Sequence, residues 1–128
     1  MTEPTHPNLA ILMKIDLQNL DACAEIFADD FIWHYFNPKL PDLEGDYCGV
    51  EELKGFFTKL GELSRGRFEV NPIDTRALGD ELLTTHVRNR IGLAEETIEF
   101  DAVVVWRIVD GKLAEAWDIP SVYSVRTV

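Results

Sequence analysis

The sequence predicts an α+β domain, helices first and then a run of antiparallel strands that lays one face of the sheet against them. Three observations predict it. Up to Ser64 apolar residues recur mostly at helical spacing, whereas from Arg67 onward they alternate with polar ones at period two. Asp110-Gly111 stands between two alternating runs, Ile98 to Ile108 and Leu113 to Ile119. Asp-Gly in that position signals a hairpin, because a type I′ turn needs positive φ at both central residues.

The elements follow in order. Asn8 to Gln18, apolar at Leu9, Leu12, Met13 and Ile15, reads as a largely buried helix. Asn19 caps a second, short helix from Leu20 to Ala28. Phe31 to Phe36 is aromatic and β-favouring, hence a first strand. Asn37 to Gly49, with two prolines and two glycines, reads as a loop. Val50 to Ser64 is a third helix: Glu51 and Glu52 suit its positive end, and Leu53, Phe56, Phe57 and Leu60 form its apolar stripe. Strands follow at Arg67–Leu78, Leu82–Leu93, Thr97–Val109 and Lys112–Ile119. One domain over 1–128 is expected, with a core at 8–120 and tails at 1–7 and 121–128.

Composition narrows the partners. Twelve basic against 23 acidic residues give a net charge of −11, which repels phosphate backbones and anionic lipids, so neither nucleic acid nor membrane is an expected partner. No apolar run reaches the ~18–20 residues of a membrane span, and Met1 to Asn8 lacks the layout of a signal peptide. Cys23 and Cys48 are too few for a disulfide framework, which fits a cytoplasmic protein. His6, His34 and His86 lie far apart and no C-x-x-C pair occurs, so no local metal motif and no cofactor is expected.

Strand parity sorts the polar residues. Asp118 shares its side of the last run with Ala114 and Ala116, either as the floor of a small-molecule pocket or as a solvated strand end. On Leu82–Leu93 the more apolar face carries Thr85, Val87, Asn89 and Ile91 and turns inward, leaving His86, Arg88 and Arg90 outside, facing Glu99 and Asp101 as ion pairs or as an anion site. An inward Asn89 either satisfies the core or orients a ligand. Strict alternation with Trp33 inward turns His34 outward, while a bulge at the strand end re-aims it inward; histidine there suits proton transfer near neutral pH. Trp117, Ile119, Val103 and Val105 fall on the outer face, an apolar patch that predicts a homodimer.

Phe31-Ile32-Trp33-His34, Leu40-Pro41 to Gly45-Asp46-Tyr47-Cys48-Gly49, Phe56-Phe57 and Trp106-Arg107-Ile108 with Asp110 to Trp117 resemble the SnoaL-like domains of the nuclear-transport-factor-two-like superfamily, over about Leu9 to Pro120. The resemblance implies a cone: a curved antiparallel sheet wrapped around three helices, with a pocket at its open end. It implies cofactor-independent acid/base chemistry, an aldol-type cyclisation or an isomerisation, on a small apolar carbonyl compound. The alternative is a non-catalytic ligand-binding or dimerisation domain of the same fold. Asp118 matches the last-strand acid of the polyketide cyclases, and His34 lies near the base position of the ketosteroid isomerases. Trp33, Tyr35, Tyr47, Phe57, Asn89, Val104 and Trp106 complete the expected ligand-binding set. The isomerases' oxyanion donors fall at Ile11 and Val104, which cannot donate, so steroid isomerisation of the usual kind is not expected. The acid–arginine–acid set of the epoxide hydrolases is likewise unmatched, because the arginines point outward by parity.

Overall fold

The computed structural model describes residues 6–128. Of the tail expected at 1–7, residues 1–5 lie outside the described residues, while His6 and Pro7 open the first helix. That helix, α1, spans Pro7–Leu12; Pro7 suits a first helical position, and the His6 ring accepts from the Asn8 N–H. It is shorter than the apolar spacing implies: turn-type bonds Lys14 to Ile11 and Ile15 to Leu12 end it, although Ile15 and Leu17 still pack inward. A 3-10 segment, Leu20–Ile26, follows, with Asn19 Oδ1 accepting from Ala22 N–H as its cap. The long helix α2, Gly49–Ser64, buries Leu53, Phe56, Leu60 and Ser64 at i, i+3/i+4 spacing. Glu52 reaches back to the Cys48 N–H at 2.9 Å and caps its start. No helix among the described residues is long and apolar enough to cross a membrane.

The strands are β1 (Phe27–Tyr35), β2 (Gly45–Cys48), β3 (Phe68–Leu78), β4 (Leu82–Leu93), β5 (Glu96–Val109), β6 (Lys112–Pro120) and β7 (Arg126–Thr127). They form one curved, unclosed sheet in the order β2-β1-β6-β5-β4-β3, with β7 paired to β5. The sheet is mixed rather than wholly antiparallel. β1 runs parallel to β6, pairing Trp33 with Ala116 and Tyr35 with Asp118. β2 lies inside the stretch expected to be loop; it pairs Ile32–Tyr35 of β1 with Cys48–Gly45. Asp110 (φ 51°) and Gly111 (φ 76°) form the expected hairpin turn.

Two bulges matter below. On β6, Ala114 is skipped between Leu113, opposite Ile108, and Glu115, opposite Arg107. Alternation therefore breaks there, and Leu113, not Ala114, shares the inner row with Ala116 and Asp118. On the edge strand β3, Ile73 is skipped immediately after Pro72.

The core lies between the concave face and the helices. Phe31, Phe56, Leu53, Leu83 and Leu113 are fully buried, each contributing about 1.5–3 kcal/mol relative to exposure, as an upper bound. α1 packs on β3, and α2 on β1 and β2. The convex face carries Arg88–Asp101 (2.8 Å), Arg90–Glu99 (2.9 Å) and Arg126–Glu99 (2.9 Å). The first two are outward ion pairs that parity predicts, the third comes from the C-terminal segment, and Arg126 and Arg90 together hold Glu99 below its ordinary pKa.

Candidate functional site

Between the helices and the concave face lies a cavity of about 560 Å³. The α1 region supplies one wall through Leu9, Leu12, Met13, Ile15 and Leu17, and α2 supplies Phe56, Phe57 and Leu60. The sheet supplies Trp33 and Tyr35 from β1, Thr85, Val87, Asn89 and Ile91 from β4, and Phe100, Val104 and Trp106 from β5. Asp118 from β6 and Phe68, Glu69, Val70, Pro72 and Thr75 from β3 complete it. Most of this lining is apolar or aromatic, as in sites for small organic molecules.

Asp118 stands between Tyr35 on one side and Val104 on the other. Burial pushes its carboxyl up to about 7, because ionising there means leaving water without gaining a partner. Its Oδ1 is buried and makes no hydrogen bond; the same holds for Asn89 Oδ1 and Trp33 Nε1. Among the described residues these three are the buried side-chain polar atoms without partners, and all three residues line this one cavity. A buried, unpaired polar atom costs about 1–3 kcal/mol, so the fold keeps three of them where a ligand can satisfy them.

Around this set the aromatics are fixed. Trp33 packs 5.7 Å from Trp106 and 5.9 Å from Phe56. The Trp106 indole N–H donates to Thr85 Oγ1 at 3.3 Å, which leaves Trp33 as the indole with a free donor. The Tyr35 hydroxyl accepts from the Asn37 amide at 2.9 Å, so its own hydrogen is free to donate. Burial, opposed by the Asn37 bond and reinforced by the Asp118 charge, raises Tyr35 to about 12 and keeps that hydrogen in place at neutral pH. Glu69 is the other acidic residue of the lining, and no Lys, Arg or His contributes to it.

Seven of the nine site residues expected from the sequence thus meet in one cavity: Asp118, Trp33, Tyr35, Phe57, Asn89, Val104 and Trp106. His34 does not. It sits on the convex face, with Nδ1 2.7 Å from Asp46 Oδ1 and Nε2 2.6 Å from Glu115 Oε2. Carboxylates only accept, so this setting, with one on each ring nitrogen, favours the doubly protonated ring. Burial lowers its pKa, but the bonds to Glu115 and Asp46 outweigh burial and raise it. The β1 bulge that was to re-aim it lies upstream, between Phe27 and Ile32, so simple alternation holds at His34. Tyr47 is also absent from the lining: its hydroxyl donates to the Leu43 carbonyl at 2.6 Å and its ring meets Phe56 edge-on. Asn37 was missed, although continuing the inward row Trp33, Tyr35 by two residues reaches it. Among the described residues no three His, Cys, Asp or Glu side chains come together as a metal-ligand set.

An open, curved sheet over helices, with an apolar cavity between them and one buried acid on its last long strand, is a fold of the nuclear-transport-factor-two-like kind. The chain belongs to the SnoaL-like domain family, whose pattern residues 15–116 match. No curated protein sequence matches it. Solved structures agree on the fold. An NTF2-like protein from Burkholderia pseudomallei K96243 superposes with a TM-score of 0.78 at 17% identity, covering 93% of this chain and 94% of that one. TerC, co-crystallised with polyporic acid, gives 0.74 at 18% identity over 88% and 90%. A protein named as a SnoaL-like polyketide cyclase, from Jannaschia sp. CCS1, gives 0.72 at 13% identity over 97% and 93%.

Proposed function

We propose that the cavity binds a small, uncharged, apolar carbonyl compound and that Asp118 moves a proton to or from it, in a cofactor-independent aldol-type cyclisation or isomerisation. One observation carries this reading: a buried, unpartnered carboxyl whose pKa of about 7 leaves it both donor and acceptor at neutral pH. The carbonyl oxygen lies against the free donors, Trp33 Nε1 and the Tyr35 hydroxyl, and Asn89 Oδ1 accepts from a hydroxyl or enol on the same molecule. The lining has no cation to neutralise an anionic ligand, which favours an uncharged one. The polyketide cyclase name of one structural neighbour supports a carbonyl ligand, and the polyporic acid of another supports a small organic occupant of this fold's cavity, though not an uncharged one. His34 has no part in the chemistry.

The test needs no natural substrate. Enolisable aryl ketones are incubated with the protein in D₂O and α-hydrogen exchange is followed by NMR. The wild type accelerates exchange, and Asp118→Asn lowers it by ~10²–10⁴-fold, the usual contribution of a positioned proton-transfer group. Equal exchange in both proteins would overturn the assignment. A second reading, a binding domain without chemistry, is favoured by the scarcity of ionisable groups in the lining; it is marked by ketone binding without exchange. With either reading go a cytoplasmic setting that keeps Cys23 and Cys48 reduced and a homodimer through the convex face.

A further inference from the structure

A second cavity of about 260 Å³ continues the concave face beyond Asp118. Adjacent inward positions on four strands, or just past their ends, divide between the two spaces. Tyr35, Asp118 and Ile91 line the first cavity; Asn37, Pro120 and Leu93, each two residues further on, line the second. On β5, Ile98 lines the second, Val104 the first, and Phe100 both. The two cavities therefore share Phe100 as a common wall, two inward positions along β5 from Val104, the residue opposite Asp118. No other ring stacks on Phe100 among the described residues, so neighbouring aromatics do not lock it. The C-terminal segment closes the far side: Val122 and Val125 line the chamber, β7 is hydrogen-bonded along Ile98–Glu99, and Arg126 is paired with Glu99.

We propose that this rear chamber is a subsite for an unbranched aliphatic tail, so that the ligand is elongated and passes the shared Phe100 wall. This rests on the reading of the front cavity as a ligand site. The chemistry of the chamber selects the tail. Both ends of the Asn37 amide are already engaged, by Tyr35 and by the Lys39 N–H. Lys39 and Glu96 are exposed at the rim, and the lysine ammonium lies over the Tyr123 ring at 5.3 Å. The remaining surface is aliphatic apart from Phe100.

The probes are 2-acylnaphthalenes with acyl chains from acetyl to octanoyl, titrated by calorimetry. Affinity is expected to rise by about fourfold for each methylene that enters the chamber. Val122→Phe and Leu93→Phe, both at half-buried positions that fold around added volume, fill it. Each should abolish the chain-length gain while leaving the acetyl compound's affinity unchanged. A gain that survives both substitutions, or no gain in the wild type, would overturn the subsite while leaving the front cavity standing. Failure of the acetyl compound to bind at all would overturn the front-cavity reading and this inference with it.

Discussion

Tyr35 and Asp118 stand opposite one another on parallel strands, two inward side chains of one rung. The tyrosine stays protonated beside a carboxyl that titrates near neutrality. That rung sets a fixed donor beside a switchable proton carrier, with Asn37 holding the donor's oxygen from behind.

Asp118 gives stability a distinctive pH dependence. Its folded pKa of about 7 lies above its ordinary 3.8, so between those values the native state holds a proton that the unfolded chain has lost. The stabilisation is full below about 4 and is lost as pH rises through about 7, with a slope on the order of 1 kcal/mol per pH unit. Asp118→Asn should flatten that slope and melt above the wild type at pH 8, as measured by urea unfolding across pH 4–8. A variant less stable than the wild type at pH 8 would mean that the carboxylate has a partner.

Tyr35→Phe removes the oxygen that receives the Asn37 amide. Asn37 is 4% exposed, so its N–H would be left unpaired at a cost of about 1–3 kcal/mol. The melting temperature should fall, and Tyr35→Phe with Asn37→Leu should recover part of the loss. If the double variant is as unstable as the sum of the singles, the hydrogen bond is not the coupling.

His34→Gln should leave α-hydrogen exchange unchanged and alter the pH profile of stability instead. The ring's raised pKa, with Asp46 and Glu115 on either side and Arg107 bonded to Glu115 at 2.8 Å, contributes stability below about 6.5. That contribution disappears as pH rises through the folded value. The variant should lack this component, as thermal melts at pH 5.5 and 9 would show. Loss of exchange activity instead would return His34 to the chemistry.

Ile119 and Val103 are 49% and 41% exposed and pair with each other on the convex face. The C-terminal segment does not cover them, because β7 lies in the plane of the sheet beside β5. Ile119→Lys should shift a micromolar sedimentation profile from dimer to monomer. A wild type that sediments as a clean monomer near 14.6 kDa removes the dimer.

Legibility followed the range of the interactions. Period-two alternation on β4 put Thr85, Val87, Asn89 and Ile91 in the cavity and Arg88 and Arg90 outside, as read from the sequence, because a half-buried strand writes its faces locally. The Asp110-Gly111 turn and the α2 stripe are local in the same way. The parallel β1–β6 pairing was not legible, since nothing in either strand names its neighbour across eighty residues. β2 is not legible in the sequence because its four residues are too few to display a period, and it exists by pairing with β1. At Ala114 the bulge shifted the inner row by one residue, a departure that only the opposing β5 register reveals. Asp118 kept its face because it lies beyond that bulge.

Both outer rims of the main strand order are poor templates for a further strand. At one end β2 is only four residues long. At the other, β3 carries Pro72, which has no N–H to offer, beside the skipped Ile73. Copies of this chain therefore cannot readily stitch together rim to rim into a growing ribbon. The proposed dimer uses the convex face instead, where one copy hides the patch of another and association ends at two chains. The same irregular rim forms a wall of the cavity through Val70, Pro72 and Thr75, so the bulge that spoils the edge for strand pairing also shapes the space inside the sheet.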